Sequence, residues 1–103
     1  MARDITVSIP HDLPQAEVKR RLKEALTEAR AKHGDLLKDT HESWPSEHRM
    51  DFTARALGQA IRGSIEIDLA QVHLTVHLPM LLATLASKIE SQIQNAGQRL
   101  LKK

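Results

Sequence analysis

The chain has 103 residues, of which 41% are apolar and 27% are charged, and its formal net charge is +2. This length suits a single domain over residues 1–103 with one core. No apolar run approaches the roughly 18 residues that a transmembrane helix needs, and no secretory segment is expected at the polar N-terminus. Because the chain contains no cysteine, disulfides, redox thiols and cysteine-based zinc sites are excluded. A cytoplasmic protein is the simplest interpretation.

Charge and aromatic content argue against a nucleic-acid binder. The net charge is small, and Trp44 and Phe52 are the only aromatic rings, whereas single-strand binders stack bases on several rings. A basic stripe does follow one predicted helix, and it comprises Lys19, Arg20, Lys23 and Arg30. We interpret this stripe as an ordinary solvated helix face, with weak nucleic-acid binding as the alternative.

The first half of the chain predicts a strand followed by a helix. Residues 5–9 alternate between apolar and polar side chains, which is typical of a half-buried strand. Pro10 ends this strand, and a helix with Pro14 in its first turn is predicted from about Leu13 to Lys32, ending at Gly34. Residues 35–49 are less informative, since they fit either a short edge strand around Thr40–Trp44 or a loop that packs Trp44 over the core.

Residues 50–78 carry the clearest sheet signal. Three alternating stretches are separated by turns near Gly58 and Ala70. Two-residue turns at 58–59 and 70–71 predict the following pairs: Phe52 with Ile65, Ala54 with Gly63, Ile67 with Leu74, and Ile65 with Val76. These registers place all apolar side chains on one face, although the first also sets like charges such as Asp51 and Glu66 opposite each other.

The last segment predicts a long helix that begins at Pro79 and continues to about Leu100, with Gly97 expected to fray its final turns. The whole chain therefore predicts an α+β fold. Its antiparallel sheet has four or five strands in the order β-α-β-β-β-β-α, both helices lie on one face, and the C-terminal helix is long.

A polar cluster is predicted on the solvent face of the sheet, comprising Glu66, Asp68, His73 and His77. His73 and His77 lie about 13 Å apart on a strand, which is too far for both to bind one ion. The simpler interpretation is a solvated face with complementary charges. We therefore predict no metal site and no cofactor.

Catalytic motifs are missing from the sequence. It contains no Gly-x-Ser-x-Gly elbow and no glycine-rich phosphate loop, and the carboxylates of the polar cluster lie on a strand face without a cleft. We therefore expect a protein that is not an enzyme and has no catalytic residues.

An interaction surface is predicted from apolar residues outside the main stripes. Met80, Leu81 and Leu85 begin the last helix, and Lys102 and Lys103 end it. Leu57 and the pair Leu36–Leu37 are further candidates for exposure, with burial under residues 35–49 as the alternative.

Several short motifs, in order along nearly the whole chain, resemble the small bacterial family of putative polyhydroxyalkanoic acid system proteins. They are Ile9-Pro10-His11, residues 17–21, Trp44, the Phe52 strand, residues 63–67, residues 78–82 and residues 88–90. The resemblance implies a non-enzymatic accessory role in the metabolism or organisation of polyhydroxyalkanoate granules. It also implies the granule surface or granule-bound proteins as partners, a location in the cytoplasm or at that surface, and a capping or turn-packing role for His11.

Two alternatives remain open. A helix over a curved sheet can leave an apolar cavity for an acyl chain, which would make the chain a small-ligand carrier. The apolar stripe at 82–100 could instead pair with a second copy and form a homodimer.

Overall fold

The computed structural model describes residues 3–33 and 38–102 of the chain. Within these residues, five strands form one antiparallel sheet and three helices accompany it. The strands are β1 (Arg3–Pro10), β2 (Lys38–Ser46), β3 (Arg49–Ala56), β4 (Gln59–Ile67) and β5 (Gln71–Leu78), and the helices are α1 (Gln15–His33), α2 (Met80–Ala83) and α3 (Ala86–Leu100). The strand order is β1-β5-β4-β3-β2. The predicted α+β fold is confirmed.

The sheet has one apolar inner face, and the two long helices cover it. Ile65 and Val76 are buried on this face, and Phe52 packs against them, as the alternation predicts. The full set of buried apolar strand residues is Ile5, Val7, Ile9, Met50, Ile65, Ile67, Val72, Val76 and Leu78. The helices add Val18, Leu82 and Ala86 to this core.

Both predicted hairpin registers are wrong by two residues. Phe52 pairs with Gly63, and Ile65 pairs with Leu74. The β3–β4 turn is Leu57–Gly58, where both residues have positive φ, as a two-residue turn of type I′ requires. Because side chains alternate with a period of two, the shift changes the partners and preserves the face of every residue.

The observed register also relieves the like-charge pairing of the predicted one. Arg49 lies opposite Glu66, and its Nη1 donates to Glu66 Oε1 at 3.0 Å. Asp51 lies opposite Ser64 rather than opposite an acidic residue. Complementary charge therefore favours the register that is present.

The uncertain segment at 35–49 contains an edge strand. Trp44 lies in β2 and is half-buried, with the Nζ atoms of Lys19 and Lys23 at 4.6 Å and 5.3 Å from its ring centroid. These cation–π contacts hold β2 against α1. The expected helix stop at Gly34 and the pair Leu36–Leu37 fall outside the described residues.

The predicted long C-terminal helix is present as α3, but it does not run without a break from Pro79, because a short α2 precedes it. Thr84 and Leu85 separate the two helices, and Leu85 N donates to Leu82 O at 3.0 Å in a tight i to i+3 turn. This turn redirects the chain from the end of β5 onto the inner face, where both Leu82 and Ala86 are buried.

Gly97 marks a close approach of α3 to β1 rather than a frayed end. The helix continues to Leu100, and a Cβ atom at Gly97 would lie only 2.0 Å from Ile9 Cδ1. Glycine at this position therefore lets α3 pack directly on the buried end of β1.

Replacing this glycine tests the close approach. Alanine is a better helix former by about 1 kcal/mol, yet we expect Gly97→Ala to destabilise the protein because its Cβ collides with Ile9. In an Ile9→Val background the colliding Cδ1 is missing, and the nearest remaining γ carbon is 3.4 Å from the new Cβ. Gly97→Ala should then be neutral or stabilising. Unfolding free energies of the four proteins in urea provide the measurement, and additive effects would contradict the packing described here.

Candidate functional site

His11 joins two turns at one end of the sheet. Its ring is buried, Nδ1 accepts a hydrogen bond from Leu13 N at 3.2 Å, and Nε2 donates to Asp68 O at 3.0 Å. The backbone N of His11 donates to Ala70 O at 2.9 Å. These bonds define the ring tautomer and connect the β1–α1 turn to the β4–β5 turn, so His11 packs and orders the turn.

The first half of α1 is fastened to its surroundings by polar side chains. Gln15 Nε2 donates to Ile67 O at 2.8 Å, and Arg21 Nη1 donates to the carbonyls of Leu100 and Lys102 at 2.9 Å and 2.8 Å. Hydrogen bonds from Arg20 and Arg21 lower the pKa of the Glu17 carboxyl to about 2. Arg21 therefore ties α1 to the C-terminal end of α3.

An apolar cavity of about 420 Å³ lies between α1, α3 and the inner face of the sheet. All of its lining residues are apolar or glycine: Ile9, Leu22, Ala25, Leu26, Ala29, Ile65, Val72, Leu74, Ile93, Ala96, Gly97, Leu100 and Leu101. Small residues account for the space, since Ala25 and Ala29 on α1 and Ala96 and Gly97 on α3 all belong to its lining. Larger side chains at Ala25 and Ala29 would occupy it.

Leaving such a cavity empty is costly. At about 24 cal/mol per Å³, a sealed void of this size would cost roughly 10 kcal/mol. The total stability of a typical domain is about 5–15 kcal/mol. The cavity is not sealed, because it is open to solvent at its side, and water or an apolar guest can fill it.

A second apolar cavity of about 170 Å³ adjoins the first and shares Leu26 and Ala29 with it. It lies between α1 and strands β2–β4, and its rim carries Arg30, whose Nη2 donates to Glu42 Oε1 at 2.8 Å. The basic stripe of α1 is thus not wholly solvated as predicted, because three of its four residues contact β2. The fourth, Arg20, pairs with Glu17 and Glu24 on α1 itself.

The predicted polar cluster lies on the outer face, and the structure brings together only part of it. His73 Nε2 lies 2.8 Å from Asp68 Oδ2, although the strand register places Glu66 opposite His73. Glu66 pairs instead with Arg49. Asp68 follows the last paired residue of β4 and lies in the β4–β5 turn, where its N donates to Gln71 O at 2.8 Å.

His77 is separate from this group, and a serine that the sequence analysis missed belongs to it. His77 Nδ1 lies 2.7 Å from Asp4 Oδ1. Ser8 Oγ lies 2.9 Å from His73 Nδ1, because β1 pairs with β5 and sets Ser8 opposite His73. The long sequence separation between Ser8 and His73 concealed this contact, and only the β1–β5 pairing could have predicted it.

Asp68, His73 and Ser8 thus stand in the order carboxylate, imidazole, hydroxyl that nucleophilic hydrolases use. Hydrolysis also needs positioned donors for the developing oxyanion and a site that excludes water. Here the Asp68 side chain is 52% exposed and the group lies on an open strand face. Among the described residues, no group of three or more metal-ligating side chains is close enough to hold an ion.

The end of the sheet that carries α2 is apolar and basic. We call this region the α2 end; it includes Arg3, Lys38, the Leu57–Gly58 turn and residues 78–88. Four large apolar side chains are exposed here, namely Leu57, Met80, Leu81 and Leu85, at 77%, 66%, 68% and 45%.

Five exposed cations border the α2 end: Arg3, Lys38, Arg55, Arg62 and Lys88. Within the part of the chain that the structure describes, none of them forms an ion pair. By contrast, Arg20, Arg21, Arg30 and Arg49 are all paired with carboxylates. The α2 end therefore combines apolar surface with unpaired positive charge.

The structure separates the predicted C-terminal part of the interaction surface from Met80 and Leu81. Helix α3 leads away from the α2 end for about 22 Å, so Lys102 lies at the opposite end of the sheet, beside Arg21. Leu101 is buried, and Lys103 falls outside the described residues. None of the described helices is long and apolar enough to cross a membrane.

An antiparallel sheet that grips a long C-terminal helix over an apolar cavity defines a helix-grip fold. The di-domain ARO/CYC protein BexL from the BE-7585A biosynthetic pathway shares this fold, with a TM-score of 0.54 at 12% identity. The sequence profile of the family described as "Putative polyhydroxyalkanoic acid system protein" matches residues 5–101, and the chain belongs to that family.

The match to BexL covers 99% of this chain but 50% of BexL, so the chain spans about half the length of that protein. Two other similarities are weaker. Ara h 8.0201 matches with a TM-score of 0.42 at 8% identity, covering 98% of this chain and 95% of its own. The Thermus thermophilus protein TTHA0849 matches with a TM-score of 0.35 at 15% identity, covering 97% of this chain and 92% of its own. A search of curated proteins finds no match.

The two ring bonds of His11 can be separated by mutation. His11→Ala removes both and should lower the free energy of unfolding by about 2 kcal/mol. His11→Asn keeps a side-chain oxygen that can accept the Leu13 N–H bond and loses the bond to Asp68, so we expect about half that effect. Urea unfolding of both variants measures the difference. Equal losses would show that the local bond contributes nothing.

Proposed function

We propose that this protein is a non-enzymatic accessory protein of polyhydroxyalkanoate metabolism that docks on the granule surface through its α2 end. The observation that carries the proposal is the cluster of exposed apolar side chains at this end, bordered by unpaired cations. Family membership supports the granule as the setting.

Charge and apolar surface complement such a partner. A polyester granule is an apolar phase whose chains end in carboxylates. The leucines of the α2 end would bind it by burying apolar surface, and the surrounding cations would bind it by electrostatic attraction. Leu57 enlarges the surface predicted from Met80, Leu81 and Leu85, because the β3–β4 turn extends past the end of β5 at the same end of the sheet. The same arrangement would serve docking on a granule-bound protein with an acidic, apolar face.

The homodimer alternative is less well supported. The stripe that would form its interface faces the protein's own sheet, since Leu82 and Ala86 are buried and Ile89 and Ile93 pack against the core. A dimer through this stripe would require the helix to leave the sheet.

Binding of purified protein to polyhydroxybutyrate beads tests the docking surface. Leu81→Glu replaces a leucine that is exposed in the free protein and would be buried against the bead. Loss of this contact should weaken binding roughly tenfold or more. Added salt should weaken binding further, because the bordering cations are exposed.

Leu69→Glu is the matched control. Leu69 is 81% exposed in the β4–β5 turn, at the end of the sheet opposite α2. The substitution changes charge and apolarity by the same amount, and it should leave bead binding unchanged. Equal binding by wild type, Leu81→Glu and Leu69→Glu would exclude the α2 end as the docking surface.

The non-enzymatic part of the proposal is tested at Ser8. A hydroxyl on an open strand face is accessible to bulk water, so we expect wild type and Ser8→Ala to hydrolyse p-nitrophenyl butyrate at the same rate. The measurement is initial rate at matched protein concentration. A wild-type rate above that of Ser8→Ala would make the group of Ser8, His73 and Asp68 catalytic and end this part of the proposal.

A further inference from the structure

We propose that the cavity between α1, α3 and the sheet binds one medium-length alkyl chain, of the kind carried by a medium-chain carboxylic acid. Granule docking uses other residues, so the two proposals stand independently. The cavity is lined only by apolar residues and glycine, and it offers no side-chain donor or acceptor to a polar ligand. The part of the ligand inside it must therefore be hydrocarbon, with the polar group outside.

Cavity size determines the class of occupant. Its volume of about 420 Å³ lies within the range of small-molecule sites. Along α1 the lining extends from Leu22 to Ala29, a rise of roughly 10 Å. A partner helix, which is itself about 10 Å wide, would not fit between the existing helices and the sheet. A single chain of medium length fits both dimensions.

The first half of α1 makes more polar contacts than the second half, and this difference indicates where a ligand enters the cavity. Gln15 and Arg21 fasten the first half to β4 and α3. The second half is held to the sheet through the ion pair between Arg30 and Glu42, which is partly exposed. Entry beside Ala29 therefore requires the smallest rearrangement, and it leaves the ligand's carboxylate near the rim where Arg30 lies.

Calorimetric titration with decanoic acid, below its micelle concentration, tests the proposal, with butyric acid as the short-chain comparison. We expect decanoic acid to bind with a negative heat-capacity change and butyric acid to bind at least tenfold more weakly. Absence of binding by decanoic acid, or equal binding of the two acids, would overturn the proposal.

Filling the cavity should abolish binding. Ala25→Leu/Ala29→Leu places two larger side chains in the lining and should weaken decanoic acid binding at least tenfold while preserving or raising the Tm. The matched control is Ala16→Leu/Ala31→Leu, which makes the same change at two exposed positions of α1 and should bind like wild type. Wild-type affinity in the filled variant would place the ligand elsewhere and overturn the proposal.

Methyl NMR of the wild-type protein gives a result that does not depend on any variant folding. Decanoic acid should shift the methyl signals of Leu74, Ile93 and Leu100. Shifts confined to Met80 and Leu81 would contradict the cavity site and indicate the docking surface instead. The Leu81→Glu protein should still bind decanoic acid, so failure of bead binding and failure of the cavity proposal are distinguishable.

Discussion

The apolar inner face of the sheet is the constraint on which the rest of the structure depends. β1, β4 and β5 present a continuous row of buried Ile, Val and Leu side chains that two helices must cover. α3 packs closely on this face, because Gly97 allows it to approach Ile9. α1 packs less closely, because Val18 is fully buried but alanines occupy the cavity positions of its second half. The cavity is thus a consequence of where the chain places small residues.

Polar contacts are distributed unevenly between the two ends of the sheet. At the end that carries His11, cations and turns are engaged by Glu17, Asp68 and main-chain carbonyls. At the α2 end, arginines and lysines are unpaired among the described residues, and leucines project into solvent. Leu69 is also exposed at the end that carries His11, but four large apolar side chains are exposed at the α2 end. Such a concentration of apolar side chains beside unpaired charge is typical of an interaction surface.

Strand parity made the fold and its faces predictable from sequence, but cross-strand partners were not predictable. A shift of two residues leaves Phe52 and Ile65 on the inner face, so the predicted face survived two incorrect registers. Contacts between distant segments were harder. Ser8 reaches His73 only through β1–β5 pairing, and Gly97 acquires its role only when α3 meets Ile9. Helix propensity alone predicted a frayed end at Gly97, because it contains no information about tertiary contacts.

Chain direction relates the two proposed surfaces. α1 starts beside His11, and Arg30 in its second half contacts Glu42 of β2, so the helix runs towards the α2 end. The proposed entrance at Ala29 is thus on the side of the proposed docking surface. A protein docked through Leu81 would therefore present the cavity entrance on the granule side. An alkyl chain leaving an apolar phase could then enter the cavity with little exposure to water. This orientation would avoid the cost of exposing each methylene group to water, which is about 0.8 kcal/mol.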